Sequence, residues 1–141
     1  METRAFGTIR LEDGQATLPV GPGLLRPAGL DMLATLGDRV AMAAAAEFLD
    51  ALPKHLATVR QHLMDGLDTA PERFASLFPE LATSSATPAD RLWTSLDLRS
   101  VWTDNDATVT LEFARDGAED GPVLAAAFAL DGTLRDLAVT A

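Results

Sequence analysis

The sequence predicts an α+β fold, in which an antiparallel sheet carries two to four helices packed on one of its faces. Three observations predict this class. Val109, Leu111 and Phe113 alternate with polar residues, which is typical of a strand with one buried face. Asp131 and Gly132 separate two apolar segments and form a strong hairpin-turn signal. Upstream of these strands, apolar residues recur every three or four positions, which is typical of amphipathic helices.

Length and composition predict one domain that spans residues 1–141. With 48% hydrophobic residues the chain can build a substantial core. No apolar segment reaches the roughly 18 residues that span a bilayer, and the N-terminus lacks the basic and apolar regions of a signal peptide. The chain contains no cysteine, which excludes disulfides and thiol chemistry. We therefore expect a cytoplasmic protein that has no membrane partner.

The net charge of −10 bears on the choice of partner. Residues 71–141 carry twelve acidic and five basic side chains, so the excess lies with the predicted sheet. Nucleic acids are bound through Lys and Arg, and we therefore expect no nucleic-acid partner. An acidic surface attracts a basic protein and speeds its association. The alternative is that the charge only keeps a small domain soluble.

The N-terminal segment is predicted to form a hairpin that joins the sheet or covers its edge. Residues 5–11 form its first strand, residues 12–15 the turn and residues 16–20 the returning strand. Pro19 removes a backbone donor, so the returning strand is expected at a sheet edge. Residues 21–27 contain two Gly and two Pro and predict a loop.

The middle of the chain is predicted to be helical. Residues 29–36 fit either a strand or a helix face, and we favour the strand. Asp38 is suited to cap the alanine-rich helix that follows over residues 40–51. Pro53 stops or kinks that helix and is well placed to begin the next one. The faces predicted to be buried contain Val40, Ala44, Phe48 and Ala51 in the first helix and Leu56, Val59, Leu63 and Leu67 in the second.

The remaining elements lead into the sheet. Pro71 predicts a short third helix that ends at Pro79, and Thr87 with Asp90 matches a capping box that begins a fourth. The strand predicted at residues 123–130 is nearly all apolar, and we expect it to be central and covered on both faces. The other strands of this meander are predicted at residues 96–103, 107–114 and 134–139. The predicted core consists of Phe6, Ile9, Phe48, Leu56, Val59, Leu63, Phe74, Phe78, Val109, Leu111, Phe113, Leu124, Phe128 and Leu137.

Candidate catalytic residues are few. His55 and His62 are two helical turns apart, or roughly 10 Å, which is too far for one metal ion to bind both. His62 and Asp65 are spaced to form a minimal acid–base pair. The favoured interpretation is that both histidines are exposed polar residues. No serine has the sequence context of an activated nucleophile. We expect no cofactor and no catalytic residue, and although the sequence leaves enzymatic activity open, it favours a non-catalytic protein.

The acidic loop residues are the better candidates for a site. Asp104, Asp106, Asp116, Glu119 and Asp120 lie in two strand-joining loops and are expected to gather at one end of the sheet. Clustered carboxylates can bind calcium or magnesium, but the spacing of a calcium-binding loop is missing. Turns also favour Asp for local hydrogen bonding, so we expect no metal site. As contacts to a protein partner we predict Asp104, Asp106, Glu119 and Asp120.

The two tryptophans have two interpretations. The favoured one places Trp93 and Trp102 in the core, with the indole N–H of Trp102 bonded to a partner. The alternative is that one of them anchors an interface, where Trp is enriched.

The order of elements resembles small bacterial domain-of-unknown-function families. Those families begin with an F-G-x-[IL] strand, as at Phe6 to Ile9, continue through a helical middle similar to residues 48–56, and close with antiparallel strands around a D-G turn like that at Asp131. The resemblance carries over no catalytic residue. Some similar acidic domains act as immunity proteins against bacterial toxins, and the resemblance therefore implies a protein partner.

Three functions are carried forward. The first is a non-catalytic, immunity-like interaction domain that binds a basic protein partner through an acidic surface. The second is a small-molecule-binding protein or hydrolase with a pocket between sheet and helices. The third is a structural homodimer formed through an exposed sheet face or edge.

Overall fold

The computed structural model describes residues 1–83, 88–118 and 120–140. Six strands form one sheet in which the spatial order follows the order along the chain. Neighbouring strands are antiparallel, except that β2 and β3 run parallel. The strands are β1 (Gln15–Leu18), β2 (Ala28–Asp31), β3 (Leu96–Thr103), β4 (Thr108–Arg115), β5 (Val123–Ala129) and β6 (Leu134–Thr140). The predicted α+β class is confirmed, and β1 and β2 form an antiparallel hairpin at one edge of this sheet.

Among the described residues, four α-helices lie in the connection between β2 and β3, which run parallel to each other. They are α1 (Arg39–Asp50), α2 (Leu52–Thr69), α3 (Glu80–Thr83) and α4 (Ala89–Thr94). Asp38 caps α1 as predicted, because its carboxylate accepts hydrogen bonds from the backbone N–H groups of Val40 and Ala41, each at 3.0 Å. Pro53 lies in the first turn of α2. Thr87, the predicted capping residue before α4, lies outside the described residues.

The core lies between one face of the sheet and the helices. Every second residue of β4 and β5 is buried there, and the helices contribute a matching set of apolar side chains. The sheet and helix residues that meet in this core include Val109, Leu111, Phe113, Leu124, Phe128, Phe48, Leu52, Val59, Leu63 and Leu92. Twelve of the fourteen predicted core residues are buried, while Phe6 and Leu56 are partly buried and pack against the core.

The strand predicted over residues 5–11 is wrong. The first twelve residues fold back on themselves, with an N–H···O=C bond of 2.7 Å from Ile9 to Met1. The Asp50 carboxylate accepts from the backbone N–H groups of Arg4 and Ala5 at 2.7 and 2.9 Å. Ile9 thus finds its backbone partner within the segment, and Arg4 and Ala5 find theirs in α1, rather than in a neighbouring strand.

The segment predicted as a strand over residues 29–36 divides into two elements. Its first part lies in β2, and Leu33–Thr35 then forms a 3₁₀ turn. The Asp31 carboxylate accepts from the backbone N–H of Leu33 at 3.0 Å, which ends the strand by turning the chain. Pro71 begins a short helix as predicted, but this helix is of the 3₁₀ type and ends at Phe74, before the predicted end at Pro79.

Two burial predictions are also wrong. The buried face of α1 contains Ala41, Ala45, Phe48 and Leu49, while Val40 is 80% exposed. A run of alanines carries little periodic signal, so the face was misassigned by one residue. β5 lies next to the edge strand β6 and is covered on one face only, with Ala125 and Ala127 half-buried on the other.

Candidate functional site

Strand order decides which loops lie together. In an antiparallel meander successive turns alternate between the two ends of the sheet, so the β3–β4 and β5–β6 turns share one end and the β4–β5 loop lies at the other. Because β2 is parallel to β3, the end of β2 and the beginning of β1 also lie at the first end. β4 has eight residues. The two ends are therefore about 25 Å apart.

The predicted gathering of the loop carboxylates at one end is accordingly wrong. Asp104 and Asp106 lie in the β3–β4 turn, whereas Asp116 and Asp120 lie in the β4–β5 loop at the opposite end. Glu119, also predicted as a partner contact, lies outside the described residues. The loops were expected to meet because both join strands, but consecutive hairpins cannot share an end.

A different set of carboxylates does come together. The acidic end of the sheet, as we call it, is formed by Asp13, Asp31, Asp104, Asp106 and Asp131. Neighbouring strands are about 4.8 Å apart, so this row extends roughly 20 Å across the sheet. Sequence reasoning missed Asp13 and Asp31, because their place at this end depends on the parallel pairing of β2 with β3. It also missed Asp131, which shares this end through the alternation of turns in the antiparallel meander.

Local hydrogen bonds hold several of these carboxylates. Asp104 Oδ1 accepts from the backbone N–H of Asp106 at 2.9 Å and from that of Thr108 at 3.2 Å. Asp131 Oδ1 accepts from the backbone N–H of Thr133 at 2.9 Å, and this bond holds the pKa of Asp131 below its usual value. These carboxylates therefore stabilise their own turns.

Exposed apolar side chains lie beside the acidic end. Leu33, Leu36 and Val40, which we call the apolar patch, are 59%, 44% and 80% exposed and fall within one short segment. Thr35 anchors this segment, because its Oγ1 lies 3.1 Å from Thr103 Oγ1 and both residues are buried. Thr103 immediately precedes the acidic β3–β4 turn. Apolar side chains bordered by charged ones are a common feature of protein-binding surfaces.

The prediction that both tryptophans lie in the core is wrong for Trp102. Its register places it on the uncovered face of the sheet, where its indole N–H donates to Glu112 Oε1 at 3.1 Å. The Ser100 hydroxyl donates to Glu112 Oε2 at 3.2 Å. The predicted hydrogen bond of Trp102 is therefore present, although the side chain lies outside the core. Trp93 packs against the core, with its ring centroid 5.6 Å from that of Phe113.

The prediction that both histidines are exposed is wrong for His55. Only 5% of this residue is exposed, and its ring stacks on Phe48 with centroids 3.9 Å apart. Burial lowers the pKa of His55, and the neighbouring charge of Lys54 lowers it further. His62 Nδ1 lies 3.0 Å from the Thr58 carbonyl oxygen, and Asp65 accepts from Gln61, so His62 and Asp65 have separate partners.

Two searches of the described residues were negative. Over residues 1–83, 88–118 and 120–140, no group of three or more His, Asp or Glu side chains is arranged to hold a metal ion. Over the same ranges, no helix combines the length and the apolar composition needed to cross a membrane.

No family model, no curated protein and no solved structure was found to match this chain. The resemblance to small bacterial domain-of-unknown-function families therefore stays a prediction.

Proposed function

We propose that this protein is a non-catalytic interaction domain that binds a basic protein partner at the acidic end of its sheet. One observation carries the proposal: three exposed apolar side chains lie directly beside a row of five carboxylates. In the form that the resemblance implies, the partner is a bacterial toxin whose basic face is masked.

The two parts of this surface have different roles in binding. Burying the apolar patch supplies affinity, because a Leu or Val side chain gains about 1.5–3 kcal/mol when it moves from full exposure to full burial. The carboxylates mainly raise the association rate and select a partner of opposite charge. The partner that fits best therefore has an apolar pocket or ridge surrounded by Lys and Arg.

Charge also distinguishes this partner from the other candidates. In a homodimer formed through this surface, the carboxylates of one copy would face those of the other, and such like-charge contacts are costly. A nucleic acid would likewise bring its phosphates against these carboxylates.

The first experiment identifies the contact surface by photocrosslinking. A photoreactive amino acid replaces Val40 in the apolar patch, and the matched control replaces Leu25, which is 91% exposed and lies in the β1–β2 loop at the opposite end of the sheet. We expect position 40 to capture one dominant protein of basic character from bacterial extract, identified by mass spectrometry, and position 25 not to capture it. Equal capture at both positions would argue against the proposed surface.

The second experiment measures association of the purified partner at 50 and 500 mM salt. For the parent protein we expect the association rate to fall about tenfold over this range. Asp106→Asn should slow association at low salt, whereas Asp120→Asn, which removes the same charge from the other end, should have little effect. Equal slowing would mean that net charge alone acts. Sedimentation of the unmixed protein tests the homodimer, and a dimer abolished by Val40→Ser would replace the proposal.

A further inference from the structure

A cleft of about 310 Å³ opens between the helices and the sheet, at the end of the sheet opposite the acidic end. Its walls come from the β1–β2 loop, the first half of α2, α4 and the beginning of β3. The side chains that make its surface apolar are Leu24, Leu56, Trp93, Leu96, Leu98 and Phe113. A cleft of this size is at the lower limit for small-molecule sites, so it suits a small ligand.

Gly23 allows the β1–β2 loop to form one wall of this cleft. Its φ is +81°, a conformation that other residues rarely adopt, and a Cβ there would lie 3.1 Å from Leu56 Cδ1 and 3.3 Å from Pro53 Cγ. Glycine therefore lets the loop approach the beginning of α2 closely. Two backbone hydrogen bonds between Gly21 and Leu24, of 3.1 and 2.9 Å, close the turn. Leu25, which also lines the cleft, is 91% exposed, so a bound ligand could cover part of its apolar surface.

Two arginines line the same cleft. Arg26 and Arg60 stand out in a chain that has only 11 basic Lys and Arg side chains against 21 acidic ones. Arg26 Nη1 lies 3.2 Å from Asp97 Oδ2 and 2.9 Å from Asp116 Oδ1, and Arg60 Nη2 lies 2.7 Å from Asp90 Oδ1. Both arginine side chains are at least half exposed, and ion pairs of this kind contribute little to stability. An incoming anion can therefore share or replace these carboxylates.

We propose that this cleft binds a small amphipathic carboxylate. Its apolar body packs against Leu56 and the aromatic wall of Trp93 and Phe113, and its carboxylate is bound by Arg26 and Arg60. A guanidinium group can bind a carboxylate through two parallel hydrogen bonds, which gives the head group its orientation. This site lies at the other end of the sheet from the proposed protein-binding surface and does not depend on it.

The test uses the position of the two tryptophans. Trp93 lines the cleft, whereas Trp102 lies on the uncovered face of the sheet. In a Trp102→Phe background, the emission of Trp93 therefore reports on the cleft alone. Octanoate and 1-octanol, which share an apolar chain and differ in charge, are titrated below the concentration at which octanoate forms micelles. We expect saturable binding of octanoate, about tenfold tighter than that of 1-octanol, because a hydrogen bond to a charged group is lost in the alcohol.

Matched variants separate charge from shape. Arg60→Gln should weaken the binding of octanoate about fivefold to tenfold, since it removes a charged hydrogen-bond donor, and should leave the binding of 1-octanol unchanged. Arg91→Gln is the control, because Arg91 is an exposed residue of α4 that does not line the cleft. Ala57→Phe fills the cleft from an exposed position of α2 and should weaken the binding of both ligands.

Three results would overturn the proposal. The first is the absence of a saturable change with octanoate. The second is equal affinity for octanoate and 1-octanol, which would leave only a nonspecific apolar surface. The third is an equal response of Arg60→Gln and Arg91→Gln to octanoate, which would show that the net charge of the protein acts rather than the cleft.

Discussion

Thr35 Oγ1 lies 3.1 Å from Thr103 Oγ1, and this buried hydrogen bond joins the 3₁₀ turn of the apolar patch to the end of β3. Thr35 also donates to the Met32 carbonyl oxygen at 3.1 Å, whereas the Thr103 hydroxyl is paired with Thr35. This hydrogen bond is one of the contacts that hold the apolar patch against the sheet, together with the bond from the backbone N–H of Met32 to the Gly14 carbonyl oxygen at 2.7 Å.

Replacing the two threonines should have unequal effects. Thr103→Val leaves Thr35 with its bond to Met32, and we expect it to cost about 1 kcal/mol of unfolding free energy. Thr35→Val leaves the Thr103 hydroxyl buried without its partner and should cost about 1–3 kcal/mol. Urea unfolding of both single variants and the double variant measures the coupling. Additive effects would show that the two hydroxyls do not interact.

His55 should make the fold sensitive to mild acid. Its pKa is lowered in the folded state by burial, so between that value and the ordinary value of 6.5 the unfolded chain binds the extra proton. The contribution of neutral His55 is complete above pH 6.5 and is lost as the pH falls toward the folded-state pKa, by up to about 1.4 kcal/mol per pH unit.

His55→Phe should remove this sensitivity while it keeps the stack on Phe48. Guanidinium unfolding of both proteins at pH 7.5 and 5.5 gives the comparison. Between pH 7.5 and pH 5.5 the variant should lose less unfolding free energy than the parent. If the two proteins differ in unfolding free energy by the same amount at both pH values, His55 is not the cause of the acid sensitivity.

The ion pair between Arg115 and Glu80 should contribute at neutral pH and not in acid. Arg115 Nη1 and Nη2 donate to Glu80 Oε1 and Oε2 at 2.7 and 2.9 Å. These bonds lower the pKa of Glu80 below its ordinary value of 4.5. A lowered carboxyl pKa gives stability that is present above the unfolded-state value and lost as the pH falls through the folded-state value.

Glu80→Gln should therefore cost about 1 kcal/mol at pH 7, a modest amount because both side chains are partly exposed. Thermal unfolding is measured at pH 7 and pH 3. The stability that Glu80→Gln loses relative to the parent should be smaller at pH 3. Glu72→Gln, at another acidic position, is the control. If the loss at pH 3 is as large as at pH 7, the pairing of charges is not its cause.

Gly66 provides a test of packing against helix propensity. Alanine is favoured over glycine within a helix by about 1 kcal/mol, so propensity predicts that Gly66→Ala stabilises α2. A Cβ at this position would lie 2.7 Å from the ring of Phe74, which is buried. We expect the cost of overpacking to exceed the gain in helix propensity. The unfolding free energy of the variant should therefore fall by about 1–2 kcal/mol.

Gly37→Ala is the matched control for this prediction. A Cβ at Gly37 meets nothing within 4 Å, so this substitution should be neutral or slightly stabilising. Differential scanning calorimetry of both variants decides the question. A higher unfolding temperature for Gly66→Ala would mean that Phe74 moves aside more easily than its burial suggests.

Most of the secondary structure was predictable because its signals are local. The strand predicted at residues 96–103 coincides with β3, and the Asp131 turn lies where the hairpin signal placed it. Asp38 caps α1, because an N-cap depends on a side chain and the backbone two or three residues away. The candidate site was less predictable. Of its predicted residues, Asp104 and Asp106 lie at the acidic end of the sheet, while Asp120 lies at the other end.

The sequence by itself determined which segments alternate, which residues are apolar enough for the core and which turns can form, because those properties depend on neighbours along the chain. Only the tertiary structure decided that β2 lies parallel to β3, that His55 is buried and that Asp13 and Asp31 share an end with Asp104. The same holds for the cleft, whose arginines are 34 residues apart in the chain. Strand order and helix placement set these relationships, and they result from the simultaneous burial of all apolar faces in one core.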